Sequence, residues 1–144
     1  MKMQMIDSTH VRVHRSAAAE KGEQKQAIGR SRGGRNTKIH ALADAKGRLI
    51  RRVKPPKHML GDTAYDGDEL RENLDEHGTK PVIPNRSNRI RLFSFNKCLY
   101  KLRWRIESAF NRLKDFRRIA TRYDKLARNY LASVCLAAAL VWWI

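Results

Sequence analysis

A chain of 144 residues with 42% hydrophobic side chains is long and apolar enough for one compact domain, which excludes wholesale disorder. A net charge of +17 exceeds what solubility needs and points to a polyanion, most simply nucleic acid. The N-terminus "MKMQMIDSTH" lacks the apolar run of a signal peptide, and the C-terminal apolar run of 15 residues is shorter than the roughly 20 that span a bilayer, so no membrane partner and a cytoplasmic location are expected.

"MQMIDSTHVRVH" alternates apolar and polar residues with β-branched content and reads as a strand, with Asp7 within it or at its end. "RSAAAEKGEQKQAIGRSRGGRN" reads as a polar loop rich in Gly and Arg. "TKIHALADAKGRLI" reads as a strand, a turn from Asp44 to Gly47 and a short continuation. Pro55 and Pro56 break any regular element in "RRVKPPK". A strand–helix–strand unit follows. Its first strand ends at Gly61-Asp62, its helix runs from Asp68 to His77 with Gly78 as the stop, and "KPVIP" is its second strand. After the basic loop "NRSNRIRLFSF", one long helix fits Asn96 to Ile119 and a last helix fits Asp124 to Ile144. That last helix is read as a buried core helix; an interfacial membrane helix is the other reading. Cys98 and Cys135 have no metal-ligand spacing and read as buried thiols of a reduced compartment. Strands, a strand–helix–strand unit and then helices make an α/β layer fold, with helices packed on a small mixed sheet.

Charge is unevenly spread. Residues 1–57 carry +11 and residues 80–144 carry +12, while residues 58–79 carry −6. The stretch "YKLRWRIESAFNRLK" holds five basic residues and one acid, Glu107. At 100° per residue, Tyr100, Arg103, Glu107 and Lys114 fall in a stripe about 80° wide at the border of the apolar face. An i,i+4 ion pair between Arg103 and Glu107 explains the spacing alone. Two further acids widen the reading, because Asp7 and Asp62 lie near the ends of apolar strands, at the rim where α/β sheets build sites. Three carboxylates without a Cys or His cluster favour Mg²⁺ or Mn²⁺. Two such ions would serve phosphodiester chemistry, with the basic surface holding DNA. In the Gly-rich segment, Arg30, Arg32, Arg35 and Lys38 are candidates for phosphate contacts; a solvated connection is the plain alternative.

"IDST", "GRSRGGRNTKIHALADAKG", "GDTAYD" and "RIESAFNRLKDFRRIATRYDKLARNYLA" together resemble the catalytic domain of DDE transposases of the IS5 group, within the IS4 superfamily. The most specific part is Tyr-x2-Arg-x3-Glu-x6-Lys, met here by Tyr100, Arg103, Glu107 and Lys114. The resemblance implies an RNase H-like mixed sheet in the order 3-2-1-4-5 with flanking helices. It implies Asp7, Asp62 and Glu107 as catalytic metal ligands for two Mg²⁺ or Mn²⁺ ions, and Tyr100, Arg103 and Lys114 as DNA contacts. It implies cleavage at terminal inverted repeats, then attack of the freed 3′-hydroxyl on target DNA.

Two departures are expected. The family carries a DNA-binding region ahead of its first catalytic strand, and a third strand and a helix before the strand that ends in the second Asp. Here "RRVKPPK" alone joins Ile50 to His58. Residues 1–144 are therefore expected to form a single incomplete domain lacking one edge strand and one helix. Bare sheet surface then favours a homodimer or aggregation. The alternative function is an inactive transposase remnant that binds DNA or interferes with an intact relative.

Overall fold

The computed structural model describes residues 2–18, 26–51 and 54–144. Residues 19–25 of the Gly- and Arg-rich segment and residues 52 and 53 of the proline linker lie outside them. The strands are β1 (Met3–Val13), β2 (Gly29–Ser31), β3 (Gly34–Asp44), β4 (His58–Leu60), β5 (Lys80–Val82) and β6 (Thr121–Arg122). The helices are α1 (Asp68–Glu76), α2 (Lys97–Tyr100), α3 (Trp104–Lys114), α4 (Arg117–Ala120) and α5 (Ala127–Trp142). The hydrogen-bonded strand order is β2-β3-β1-β4-β5, with β6 also pairing with β1. The result is a mixed α/β architecture with flanking helices. The chain divides into two compact units, Met1–Asp7 with Ala41–Ala109 and Ser8–His40 with Phe110–Ile144.

In the first unit β1 pairs in parallel with β4, Met5 opposite Leu60, and β4 pairs in parallel with β5, Leu60 opposite Val82. Met3, Gln4 and Met5 are buried in succession, as expected where both faces of a central strand are covered. α1 carries Asp68 and Glu69 in its first turn, where the helix dipole favours negative charge. Gly78 stops it at φ +66, donating its N–H to the Asp75 carbonyl. The turn after β3 is built by Asp44, whose carboxylate accepts the N–H groups of Lys46 and Arg48 and pairs with the Arg48 guanidinium. Residues 48–50 then return along β3 through the Ala43–Leu49 bridge and the Ile50 N–H to Leu42 carbonyl bond. This short arm is the continuation expected after Gly47.

In the second unit β2 and β3 form an antiparallel hairpin with Arg30 opposite Arg35, and Arg12 and Val13 of β1 pair in parallel with β6. The segment read as a loop is thus partly a hairpin closed by Arg32 and Gly33. Gly34, at φ +99, takes a conformation that L side chains rarely adopt. No apolar alternation marks this hairpin, because all three residues of β2 are exposed.

Three other expectations are corrected. The helix expected over Asn96–Ile119 is tightened by a 3₁₀ turn at Lys101–Arg103 and stopped by extended backbone at Phe116. No Gly or Pro marks that stop. Tyr130 Oη instead donates to the Ile119 carbonyl at the end of α4, a tertiary contact invisible to local sequence. The last helix starts at Ala127 rather than Asp124, because Arg122 takes the carbonyls of Asp124 and Lys125. It buries only Tyr130, Val134 and Ala137, one i, i+4, i+7 stripe, and leaves Leu131, Leu136 and Leu140 exposed. Cys98 and Cys135 are exposed, not buried, since both sit on outer helix faces. Among the described residues no helix is long and apolar enough to cross a membrane.

Candidate functional site

Asp7, expected near a strand end, instead lies in the middle of β1 and is buried, because β1 continues through Val13 to pair with β6. Its Oδ2 accepts a 2.6 Å bond from Arg103 Nη2. The same Nη2 lies 3.3 Å from Glu107 Oε1, so one guanidinium nitrogen is shared by two carboxylates. The 3₁₀ turn before α3 delivers Arg103 to this place, and Tyr100 Oη meets its Nη1 at 3.3 Å. Burial opposes the positive charge, but the Asp7 carboxylate overrides it and raises the pKa of Arg103 above its usual value. Arg103 Nε is buried with no hydrogen-bond partner among the described residues. The i,i+4 pair read from the spacing is present, yet the shorter contact is the one to Asp7.

Asp62 follows β4 and caps a 3₁₀ turn, Thr63–Tyr65, by accepting the Ala64 N–H at 2.9 Å. Arg86 clamps the same turn, with Nε on the Thr63 carbonyl at 3.1 Å and Nη2 on the Ala64 carbonyl at 2.8 Å. The turn ends at Asp66, whose side chain is fully buried. Its oxygens accept from Arg71 Nε at 2.7 Å, the Arg86 N–H at 2.7 Å and Arg89 Nε at 2.9 Å. Burial alone would raise the pKa of Asp66; the Arg86 N–H and the two guanidiniums reverse this and lower it. Stability from this group is present above its unfolded value, near 3.9, and is lost as pH falls through the lower folded value. Asp66→Asn is therefore expected to lower stability at neutral pH and to flatten the loss of stability below about pH 4, measured by urea unfolding across pH.

No group of three His, Cys, Asp or Glu side chains is arranged to hold a metal ion among the described residues. Asp7 and Glu107 converge on one cation, while the Asp62 carboxylate is occupied by its own turn. Of the other residues singled out in the sequence, Lys114 donates to Thr9 Oγ1 at 2.7 Å in the second unit. Arg30 and Arg32 lie on β2 and its turn and are exposed; Arg35 and Lys38 lie on β3.

Sequence reasoning missed Asp66, Arg86 and Arg122. Arg122 is fully buried and donates to the carbonyls of Asp124, Lys125 and Gln26 and to Thr37 Oγ1, over 2.8–3.0 Å. The sequence held the runs "GDTAYD" and "RRIATRYDK" but no signal for which residues in them carry the structure.

A buried acid on a central strand, sharing a cation with an acid on a helix, defines an α/β domain with a candidate cation-binding carboxylate pair. Residues 59–143 match the family described as "Transposase DDE domain", and the chain belongs to that family. It is 35% identical over 130 residues to the "Putative transposase for insertion sequence element IS6501" of Brucella ovis, covering 74% of this chain and 97% of the relative. It is 28% identical over 105 residues to the "Putative transposase for insertion sequence element IS402" of Burkholderia cepacia, covering 73% of this chain and 47% of that relative. The chain thus spans nearly all of the first relative and about half of the second. No solved structure matches. The family places the chain in DNA transposition, with DNA as its partner.

Proposed function

We propose that the chain cuts and joins DNA phosphodiesters as an IS5-type transposase domain of RNase H-like fold, with Asp7, Asp62 and Glu107 as its catalytic carboxylates. The observation that carries this reading is Arg103 Nη2 bridging Asp7 and Glu107. Two carboxylates that converge on one cationic nitrogen are the hard-oxygen donor set that Mg²⁺ or Mn²⁺ takes. Asp7 and Glu107 would hold the ion, and Asp62 would join them by releasing the Ala64 N–H. When bound, the ion supplies charge neutralisation at the scissile phosphate and activation of the attacking water or 3′-hydroxyl.

Arg103 must leave the carboxylates for this to happen. Once released, its Nε, which has no partner among the described residues, and its Nη2 share one edge of the guanidinium and suit it to a phosphate, to which such an edge makes two parallel bonds. Thr9 holds Lys114 as a further candidate DNA contact. On the hairpin, Arg30 stands opposite Arg35, so two guanidinium-bearing side chains lie side by side as candidate phosphate contacts. Replacing both with alanine is expected to reduce the slope of log K against log salt by about 2 in a fluorescence-anisotropy titration of duplex DNA. The internal shortening read from the sequence has one support. The 130 aligned positions of the IS6501 relative exceed what 74% of this chain supplies, so that relative carries residues with no counterpart here.

The test is Mn²⁺-dependent nicking of DNA bearing the element's ends. Glu107→Gln and Asp7→Asn should each abolish it, and equal activity in either variant would sink the assignment. A second reading, a DNA-binding remnant without cleavage, is favoured by Asp62 being tied to its own turn. It gives salt-sensitive DNA binding that survives both substitutions, with no nicking by the unaltered chain.

A further inference from the structure

We propose that residues 85–93 form a preorganised loop that inserts Ile90 between base steps of duplex DNA; this rests on the reading of DNA as the substrate. The loop is closed at its base by a reciprocal pair of bonds. Asn85 Nδ2 donates to the Phe93 carbonyl and the Phe93 N–H donates to Asn85 Oδ1, each at 2.9 Å. Its middle is anchored by Arg89, whose guanidinium pairs with Asp66 at 2.9 Å and Asp68 at 2.6 Å. The Phe93 ring lies beneath the guanidinium carbons of Arg71, Arg89 and Arg91, at 4.5, 4.9 and 5.4 Å from its centre.

A loop without these ties could fold its apolar side chains inward. This one holds Ile90 fully exposed and Leu92 72% exposed. Residues 85–93 carry three arginines and no acid; Arg89 on one side of Ile90 is paired with Asp66 and Asp68, which leaves Arg91, over the Phe93 ring, as the charge beside the apolar tip. Apolar wedges flanked by arginine are what duplex-bending proteins press between base steps from the minor groove. A protein partner would need a contiguous apolar patch, and this loop offers two isolated side chains. Arg86 also joins the loop to the Asp62 turn through the carbonyls of Thr63 and Ala64. Seating the wedge would therefore set the DNA against the candidate catalytic acid.

The test uses the full chain and a mixed-sequence duplex of about 30 base pairs with central TpA steps, which unstack most easily. 2-Aminopurine replaces the adenine of one step. Binding of the unaltered chain should raise its fluorescence several-fold. Ile90→Ser should bind with little loss of affinity and give no rise, and Ile90→Leu should restore it. An equal rise with Ile90→Ser, or binding by the unaltered chain with no rise, overturns the wedge while leaving the DNA reading intact. Absence of any duplex binding at low salt overturns the DNA reading, and the wedge with it. A change in sedimentation of the DNA-free chain on Ile90→Ser, with the rise retained, assigns Ile90 to a protein contact and also overturns the wedge.

Discussion

Arg122→Leu is expected to cost about 3–5 kcal/mol of folding stability, a large share of the 5–15 kcal/mol that domains typically have. The reason is the arrangement of its donors. Arg122 spends them on three backbone carbonyls and one hydroxyl in a place without solvent access, and its guanidinium carbon lies 5.4 Å from the Tyr130 ring centre. Burial lowers the pKa of Arg122, yet an arginine keeps its charge through that loss. Leucine would fill part of the volume and leave the carbonyls of Gln26, Asp124 and Lys125 without a donor. Thr37→Val removes one bond only and should cost about 1 kcal/mol. Arg122→Lys keeps the charge but not the planar fork, and should fall between the two. Urea unfolding followed by circular dichroism reads all three. A cost below about 1 kcal/mol for Arg122→Leu would contradict the clamp.

Arg103→Gln is expected to raise the affinity of the chain for Mn²⁺ by about tenfold or more. In the structure the guanidinium is the resident counter-ion of Asp7 and Glu107, and a divalent ion held there as proposed would have to displace it. Glutamine removes that competitor. It also leaves the buried Asp7 carboxylate without this partner, which lowers the stability of the metal-free variant. Since the ion binds the folded state, Mn²⁺ should then raise the melting temperature of Arg103→Gln far more than that of the unaltered chain. Asp7→Asn added to Arg103→Gln should cancel the gain. Equal or weaker Mn²⁺ binding by Arg103→Gln would show that the guanidinium does not sit in the ion's place.

β1, β3, β4, β5 and the first helix were legible because their signals are local. The alternation in "MQMIDSTHVRVH", the Leu70–Leu74 spacing and the Gly78 stop each lie within a few residues of what they specify. The elements that were missed depend on distant partners. Phe116 turns extended although no residue there breaks a helix, and Tyr130 receives the end of α4 from eleven residues away. β6 is two residues long and exists through its pairing with β1. Local hydrophobicity also misjudged α5, since an apolar composition does not say which faces find a partner. At the site, helical spacing placed Arg103 beside Glu107, and the match to Tyr-x2-Arg-x3-Glu-x6-Lys named the residues. Neither could say that Arg103 would lie closer to Asp7, 96 positions away, than to Glu107. Asp62 was placed correctly at a strand end, but its bond to Ala64 follows from a 3₁₀ turn with no distinct sequence signature.

In the function proposed above, Asp7 and Glu107 share a site for a divalent cation. Titration of Mn²⁺ into the chain, followed by the loss of the free-ion electron paramagnetic resonance signal, tests it without DNA or turnover. Saturable binding by the unaltered chain, lost in both Asp7→Asn and Glu107→Gln while each keeps its folded circular dichroism spectrum, is the predicted result. Mn²⁺ binding that is the same in all three proteins would contradict it.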